Sequence, residues 1–317
     1  PQPKTSRFIA SINNLFVKLG PTGLPMLYYL GYKYWHKSAF SKAKKLHKES
    51  SFDIVHQLTQ ISFREPGFGW KLNIPFIWGP TGGTSKIPKD IYNSLPLQFK
   101  VFEKIRSFSN IYRFKLIPRL IKANKKASVI YAFSNADANK LKKKARGKVK
   151  IMLDVGTSCH TEVSKNDLPD NSMLRGVWCG RLSDYKAPAI LLGALGLSQV
   201  TKNNVKFKII GRGSLENSLL KMADDLNLNN LEWIKEVKHA EIFAIMANAD
   251  FFVHTSIREA TSSVIPEALS MGLPVICHDA FGMGIAVNEN CGIKIPFISP
   301  EKSIKGFHDA IEQLILD

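Results

Sequence analysis

From Leu174 onward the chain alternates runs of β-branched and aromatic residues with runs of helical spacing, and that alternation leaves few folds open. LRGVWC (174–179) reads as a strand that stops at Gly180, and APAILLGALGLSQV as one helix after it. VKFKIIG (205–211) is a second strand closed by Gly-Arg-Gly and followed by the helical run SLENSLLKMADDLNL. Strand LEWIKEV, helix HAEIFAIMANA, strand DFFVHTS, a helix around IPEALSMG and strand PVICH complete the series. Successive strands separated by helices require a parallel sheet covered on both faces, because each crossover returns the chain over a face of the sheet. The helix that holds Glu267 carries its own stop signals, Gly272 and then Pro274.

The first half is also α/β. FDIVHQL (52–58), IPFIWG (74–79) and SVIYAFS (128–134) read as strands, with Ser134 or Asn135 capping the helix ADANKLKKK and KVKIMLDVG closing the lobe. A polar stretch, TEVSKNDLPDNSM, contains Pro169 and marks the boundary between a domain over 1–168 and one over 169–317. At 317 residues, two domains can each bury a core of ordinary size.

Charge separates the two halves. Residues 1–170 hold 30 Lys+Arg against 10 Asp+Glu, a net of +20, whereas residues 171–317 hold 14 against 16, a net of −2. Such an excess draws phosphates, anionic lipid headgroups or nucleic acid to one lobe. No RNA- or DNA-binding motif accompanies it, while PMLYYLGYKYWHKSAFSKAKKLHK and LIPRLIKANKK interleave aromatic and aliphatic residues with lysines as an anionic membrane surface would require. A solvated lysine-rich helix is the plainer reading of the same runs. No apolar run long enough to span a bilayer and no cleavable signal pattern are present, so a cytoplasmic chain, peripheral at the inner membrane face, is expected. Cys159, Cys179, Cys277 and Cys291 are too scattered for a zinc or redox motif.

Ligands of open parallel sheets sit beyond the carboxyl ends of the strands, which directs attention to the loops there. Arg181 and Lys186 in GRLSDYK place two cations where a diphosphate could lie, although a lone Arg or Lys is ordinarily a surface charge. Gly211 and Gly213 either admit a ligand close to backbone before a helix N-terminus or simply make a tight turn. Thr261, Ser262, Ser263 and Val264 offer small side chains and free amides at a helix start, an arrangement suited to phosphate oxygens. Glu267, inside that helix, suits two vicinal ribose hydroxyls, and Glu259 before it suits the hydroxyls of a sugar. Either glutamate alone reads as a capping or solvated acid; the two around a phosphate-sized loop read as a site. In the first half Gly82 and Gly83 of GPTGG, and His56 at a strand end, are candidates for the acceptor side, with a plain loop and a structural histidine as the alternatives. The loop Phe281-Gly282-Met283-Gly284 would face the donor sugar.

Glu259, seven residues and then Glu267, inside SIREATSSVIPEALSMGLPVI, resembles the E-x7-E signature of the group 1 retaining glycosyltransferases, which have the GT-B fold of two Rossmann-like parallel-sheet domains facing a cleft. GRLSDYK, KFKIIGRGSLENSL, ADFFVHTS and NENCGIKIP extend the resemblance over nearly all of 174–317. DIVHQL and VIYAFSNADANKLKK match more loosely, and FREPG with WGPTGG look like a bacterial surface-polysaccharide branch. The resemblance implies that Glu267 binds the donor ribose, that Glu259 contacts the transferred sugar, and that Arg181 and Lys186 hold the diphosphate with backbone from 261–264. It implies a nucleotide-sugar donor of UDP or GDP type, a lipid-linked or oligosaccharide acceptor, and lipopolysaccharide or capsule synthesis. No Asp-x-Asp occurs in the chain, so neither a metal nor another cofactor is implied. Retention is rationalised by attack on the face the leaving group departs, with a phosphate oxygen taking the acceptor proton, so neither glutamate need be a general base. A GT-B epimerase or hydrolase of nucleotide sugars, and a nucleic-acid-binding module, are the competing readings.

The chain departs from the family pattern in three places. His56-Gln57-Leu58 stands where His-x-His is common, the first strand with its glycine loop is missing, and SIKGFHDAIEQLILD ends where a helix would cross back. A fold truncated at one or both ends is expected.

Overall fold

The computed structural model describes residues 3–16, 24–158 and 173–316. The chain divides into two units, Pro1–Ser85 with Glu103–Asp154, and Lys86–Phe102 with Val155–Asp317. The boundary expected between 168 and 169 lies outside the described residues.

In the first unit, helices α1 (Lys4–Asn14) and α2 (Pro25–Glu49) precede strands β1 (Val55–Gln57) and β2 (Phe76–Thr81). Helix α3 (Lys89–Ser94) belongs to the second unit, and α4 (Leu97–Leu116) carries the chain back to the first. Then come α5 (Pro118–Lys126), β3 (Ala127–Ala132), α6 (Asn135–Lys142) and β4 (Lys148–Ile151). The four strands pair in parallel in the order β1-β2-β3-β4. Phe76 and Trp78 of β2, Ile130 of β3, Phe63, Phe114 and Leu141 fill its core. Strand β1 is shorter than its sequence pattern: among the described residues it lies at the edge of the sheet and pairs with β2 through Val55, His56 and Gln57. Ser134 caps α6 as expected, accepting from the Asp137 amide at 3.1 Å.

The second unit runs β5 (Leu174–Cys179), α7 (Pro188–Gly196), α8 (Gln199–Asn204), β6 (Val205–Ile210), α9 (Glu216–Asp225), β7 (Leu231–Ile234), α10 (His239–Ala247), β8 (Phe251–His254), α11 (Val264–Ser270), β9 (Val275–His278), α12 (Met283–Ala286), β10 (Gly292–Ile295) and α13 (Pro300–Leu316). APAILLGALGLSQV, expected as one helix, is two. Ser198 accepts from the Thr201 amide at 3.2 Å and so caps a new helix, a competing use of the backbone that the apolar spacing hides. The sheet is parallel throughout, in the order β10-β9-β8-β5-β6-β7.

Both faces of that sheet are covered at its centre, where β8 (FFVH) and β9 (VICH) are buried on both sides, whereas β6 carries Lys206 and Lys208 on one face. Trp178, Phe207, Phe251 and Val253 enter one core, which Ile91 of α3 and Leu95 just after it join. Val177, Cys179, Phe252 and Cys277 enter the other. The period of two along β5 and β8 thus sorts neighbours to opposite layers. Helix α11 ends as its glycine predicts: Gly272 has φ +73°, its amide donates to Leu269 O at 3.0 Å, and the Leu273 amide donates to Ala268 O at 3.1 Å. No helix among the described residues is long and apolar enough to cross a membrane.

Candidate active site

The strand order places a topological switch point between β5 and β8. From β5 the chain builds outward through β6 and β7, then returns to the other side of β5 and builds β8, β9 and β10. Crevices form where neighbouring crossovers diverge in this way, at the carboxyl ends of the strands. The loops leaving β5 and β8 carry Arg181, Lys186 and Glu259. They are tied together: Trp178 Nε1 donates to Thr255 Oγ1 at 3.0 Å, that hydroxyl donates to Lys186 O at 2.8 Å, and the Ile257 amide donates to Tyr185 O at 2.9 Å.

On this scaffold Lys186 Nζ donates directly to Glu259 Oε2. Ser256 Oγ donates to the same oxygen at 3.4 Å, and His254 Nε2 faces it at 3.8 Å. Burial by itself would push the Glu259 carboxyl up, but the His254 imidazole and the Lys186 ammonium outweigh it and hold the group down at about 2. His254 is 1% exposed, neither ring nitrogen has a hydrogen-bond partner among the described residues, and burial keeps its pKa low.

Glu267, buried in the first turn of α11, receives among the described residues a single 3.3 Å contact, from His239 Nε2. It belongs to the same neighbourhood as Lys186. The Cys179 thiol at the end of β5 is pushed up to about 11, first by burial and then by the charge of Glu267, while Lys186 pulls the other way. Between the two glutamates, the amides of residues 261–264 have no carbonyl partner among the described residues, and the buried Thr261 hydroxyl has no partner either. Ser262 is buried and Ser263 exposed. The Phe281 to Gly284 loop closes one side of this segment: the Gly282 amide donates to Ala260 O at 2.8 Å, and a Cβ at 282 would stand 2.3 Å from Thr261 Oγ1.

Gly211 and Gly213 are held against the β5 loop. A Cβ at 211 would lie 1.9 Å from Gly180 O and one at 213 would lie 2.0 Å from Leu182 O, so both glycines let the β5 and β6 loops touch. Arg181, at the head of that loop, is exposed and has no ion pair among the described residues. In the first unit His56 is exposed on β1, shares a 2.8 Å hydrogen bond with Gly79 O, and borders a cavity of about 250 Å³ with Trp35, Phe40, Leu58 and Phe68. Gly82 faces the Phe133 ring and Asp137, and Gly83, at φ +95°, faces Arg64.

Two partners of the glutamates were not singled out by sequence reasoning. His239 opens α10 with nothing in its surroundings to mark it. His254 ends strand β8, inside a loop that the strand-end rule does point to, but its burial beside Glu259 is a tertiary fact.

Residues 176–317 match the family described as "Glycosyl transferases group 1". Over 100 residues the chain is 31% identical to the N-acetylgalactosamine-N,N'-diacetylbacillosaminyl-diphospho-undecaprenol 4-alpha-N-acetylgalactosaminyltransferase of Campylobacter jejuni, covering 32% of this chain and 26% of that protein. The match spans about a quarter of the length of the curated relatives. Anabaena HepE, solved in complex with UDP, superposes with a TM-score of 0.57 at 20% identity over 87% of this chain and 72% of that one. The lipopolysaccharide outer core galactosyltransferase WaaB, in its apo form, gives 0.59 at 14% identity over 93% and 74%. These likenesses show the fold: two α/β units with parallel sheets, of the GT-B class.

Proposed function

We propose that the chain is a metal-independent retaining glycosyltransferase that moves a sugar from a nucleotide diphosphate donor, of UDP or GDP type, to a lipid-linked glycan acceptor in bacterial surface-polysaccharide synthesis. The observation that carries this reading is the Lys186–Glu259 contact across the β5/β8 switch point, beside the amides of 261–264, which have no carbonyl partner among the described residues, and the buried carboxylate of Glu267. The match of residues 176–317 to the group 1 family supports the reaction class. A diphospho-undecaprenol acceptor in the name of the Campylobacter relative supports the lipid-linked acceptor.

The chemistry follows from the charges. As the glycosidic bond to the donor phosphate lengthens, the nucleotide diphosphate gains negative charge, which fixed cations and amide dipoles stabilise more than they stabilise the ground state. Glu259 holds the Lys186 ammonium in place, so no reorganisation is needed when the charge develops. Arg181, exposed at the loop head, supplies the second cation. Glu267 accepts from the ribose hydroxyls, Glu259 turns its remaining lone pairs to the hydroxyls of the transferred sugar, and the phosphate oxygen takes the acceptor proton.

Contact with an anionic membrane surface is part of the proposal. Ile105, Phe108, Ile111, Tyr112 and Leu116 of α4 are all exposed, Phe108 at 74%, at spacings of three and four that place them along one side of the helix, with exposed Lys104 and Lys115 beside them.

A panel of nucleotide sugars, with and without a polyprenyl-diphosphate glycan, tests the reading. Transfer that requires the acceptor and persists in EDTA is expected; donor turnover without acceptor would instead identify an epimerase or hydrolase. Glu267→Ala should weaken nucleotide binding roughly tenfold with a smaller effect on turnover, whereas Glu259→Ala should lower turnover at least about a hundredfold. Two variants equal to the wild type in both measures would end the assignment.

A further inference from the structure

The first unit crowds cationic donors around a single carbonyl. Gly83 O receives Arg106 Nη2 at 2.8 Å, Arg64 Nη2 at 3.1 Å and Asn110 Nδ2 at 3.2 Å. A carbonyl oxygen offers two lone pairs, so three donors on one oxygen reflect a local shortage of acceptors. Gly83 suits the role: its φ of +95° turns the carbonyl inward, and a Cβ there would come within 3.1 Å of Arg64 Nη1.

Arg64 is 8% exposed, and its other partners are neutral, Ser62 Oγ at 3.0 Å and the Tyr29 hydroxyl at 3.4 Å. These three acceptors leave two of the five N–H groups of a guanidinium unmatched among the described residues. Arg113 approaches the same aromatic ring: its guanidinium carbon lies 5.1 Å from the Tyr29 centroid and that of Arg64 5.8 Å, and its Nε donates to Ser109 Oγ at 3.3 Å.

The nearby carboxylates are engaged elsewhere. Glu103 receives Arg106 Nη1 at 3.3 Å, Glu65 is held by Arg119 and by His36 at 3.3 Å, and Asp137 accepts from the amide and hydroxyl of Thr84, both at 2.7 Å. No ion pair is formed by Arg64 or Arg113 among the described residues. Burial pushes the Arg64 pKa down, and Arg106 and Arg113 push it the same way while Tyr29 opposes them. A cation taken out of water without a counter-charge is strongly disfavoured, and the aromatic contacts with Tyr29 and Phe63 offset only part of that cost.

We propose that Arg64 and Arg113, with the Tyr29 hydroxyl, form an anion site that takes a phosphate or diphosphate group. Planar guanidinium forks match the oxygens of such a group two at a time, and the half-buried Arg113 and Tyr29 are the side from which it enters. Under the transferase reading, on which this assignment of the ligand rests, the group is the diphosphate of the acceptor. The same chemistry would hold inorganic phosphate or the donor's diphosphate, and the experiment separates these sources.

Calorimetric titration of inorganic pyrophosphate at low salt into the wild type, Arg113→Gln and the Arg181→Met/Lys186→Met double variant reads the site directly. Arg113→Gln should weaken binding roughly tenfold to a hundredfold, from the loss of charge-assisted hydrogen bonds, while the double variant keeps one binding event. Wild-type affinity in Arg113→Gln, or no binding in the double variant, overturns the proposal. Should Arg113→Gln not fold, protection of Arg113 from phenylglyoxal by pyrophosphate, mapped by mass spectrometry on the wild type, replaces it; absence of protection is then decisive against the site. With a polyprenyl-diphosphate acceptor, a raised acceptor KM and unchanged donor KM in Arg113→Gln assign the site to the acceptor. A raised donor KM assigns it to the nucleotide and overturns the acceptor assignment. Pyrophosphate binding that depends on Arg113, in a protein that transfers no sugar, would refute the transferase reading and leave the anion site standing.

Discussion

Replacing Lys186 by methionine tests the electrostatics of the second unit most directly. The substitution keeps the length of the side chain and removes its charge, leaving Glu259 with Ser256 Oγ at 3.4 Å and a His254 imidazole kept neutral by burial. The carboxyl lies at about 2 against an ordinary 4.5, a depression that bounds its favourable contribution near 3 kcal/mol at neutral pH. His254 supplies part of that depression, and the pair is 24% and 19% exposed, between the exposed and the buried limit. About 2 kcal/mol is therefore the expected loss in Lys186→Met at pH 7. The sign with pH is fixed. In the wild type the folded carboxyl titrates below the unfolded one, so its contribution is complete above pH 4.5 and is lost as the pH falls toward 2. In the variant the lowering by the ammonium is gone and the carboxyl lies higher than in the wild type, so the gap between the two proteins narrows as the pH falls from 4.5 toward 2. Pulse proteolysis in urea, followed on peptides from residues 173–316, measures that gap. A difference under about 0.5 kcal/mol at pH 7, or one that does not change with pH, would refute the argument.

Gly211→Ala forces a Cβ to 1.9 Å from Gly180 O at φ +145° and should cost the second unit more than about 2 kcal/mol, whereas Gly272→Ala, at φ +73° with nothing within 4 Å of its Cβ, should cost about 1; equal costs in the same proteolysis assay would contradict the packing role of Gly211. His278 is fully buried, with Nδ1 donating to Ser256 O at 3.1 Å and Nε2 accepting from Ser303 Oγ at 2.9 Å, and burial holds it down at about 4. The unfolded chain therefore binds a proton first, and stability should fall by up to about 3 kcal/mol between pH 6.5 and 4, a slope that His278→Gln should flatten. Phe108→Glu should reduce flotation with anionic phospholipid vesicles several-fold and leave neutral vesicles unaffected; unchanged flotation would remove α4 from the membrane contact.

The sequence made the layout of the second unit legible because each strand and helix is written locally. LRGVWC begins and ends as β5 does, Gly272 terminates α11 as its position predicts, and Ser134 caps α6. The single helix read from APAILLGALGLSQV shows the limit of periodicity, which reports apolar spacing and misses the hydroxyl of Ser198 that starts a new helix. In the first unit the pattern FDIVHQL overstated a strand whose length is set by the one neighbour it pairs with.

By itself, then, the sequence determined which residues stand at the carboxyl ends of strands, since a strand, its stop and the helix after it are encoded within a dozen positions. Only the tertiary structure decided which of those ends are neighbours. Lys186 meets Glu259 across 73 residues because the sheet order seats β8 against β5, and Arg64, Arg106 and Asn110 converge on Gly83 from 19, 23 and 27 residues away. Burial, which among the described residues leaves His254 without a hydrogen-bond partner and Arg64 without a counter-charge, is a property of such meetings and is written in no local stretch of the chain.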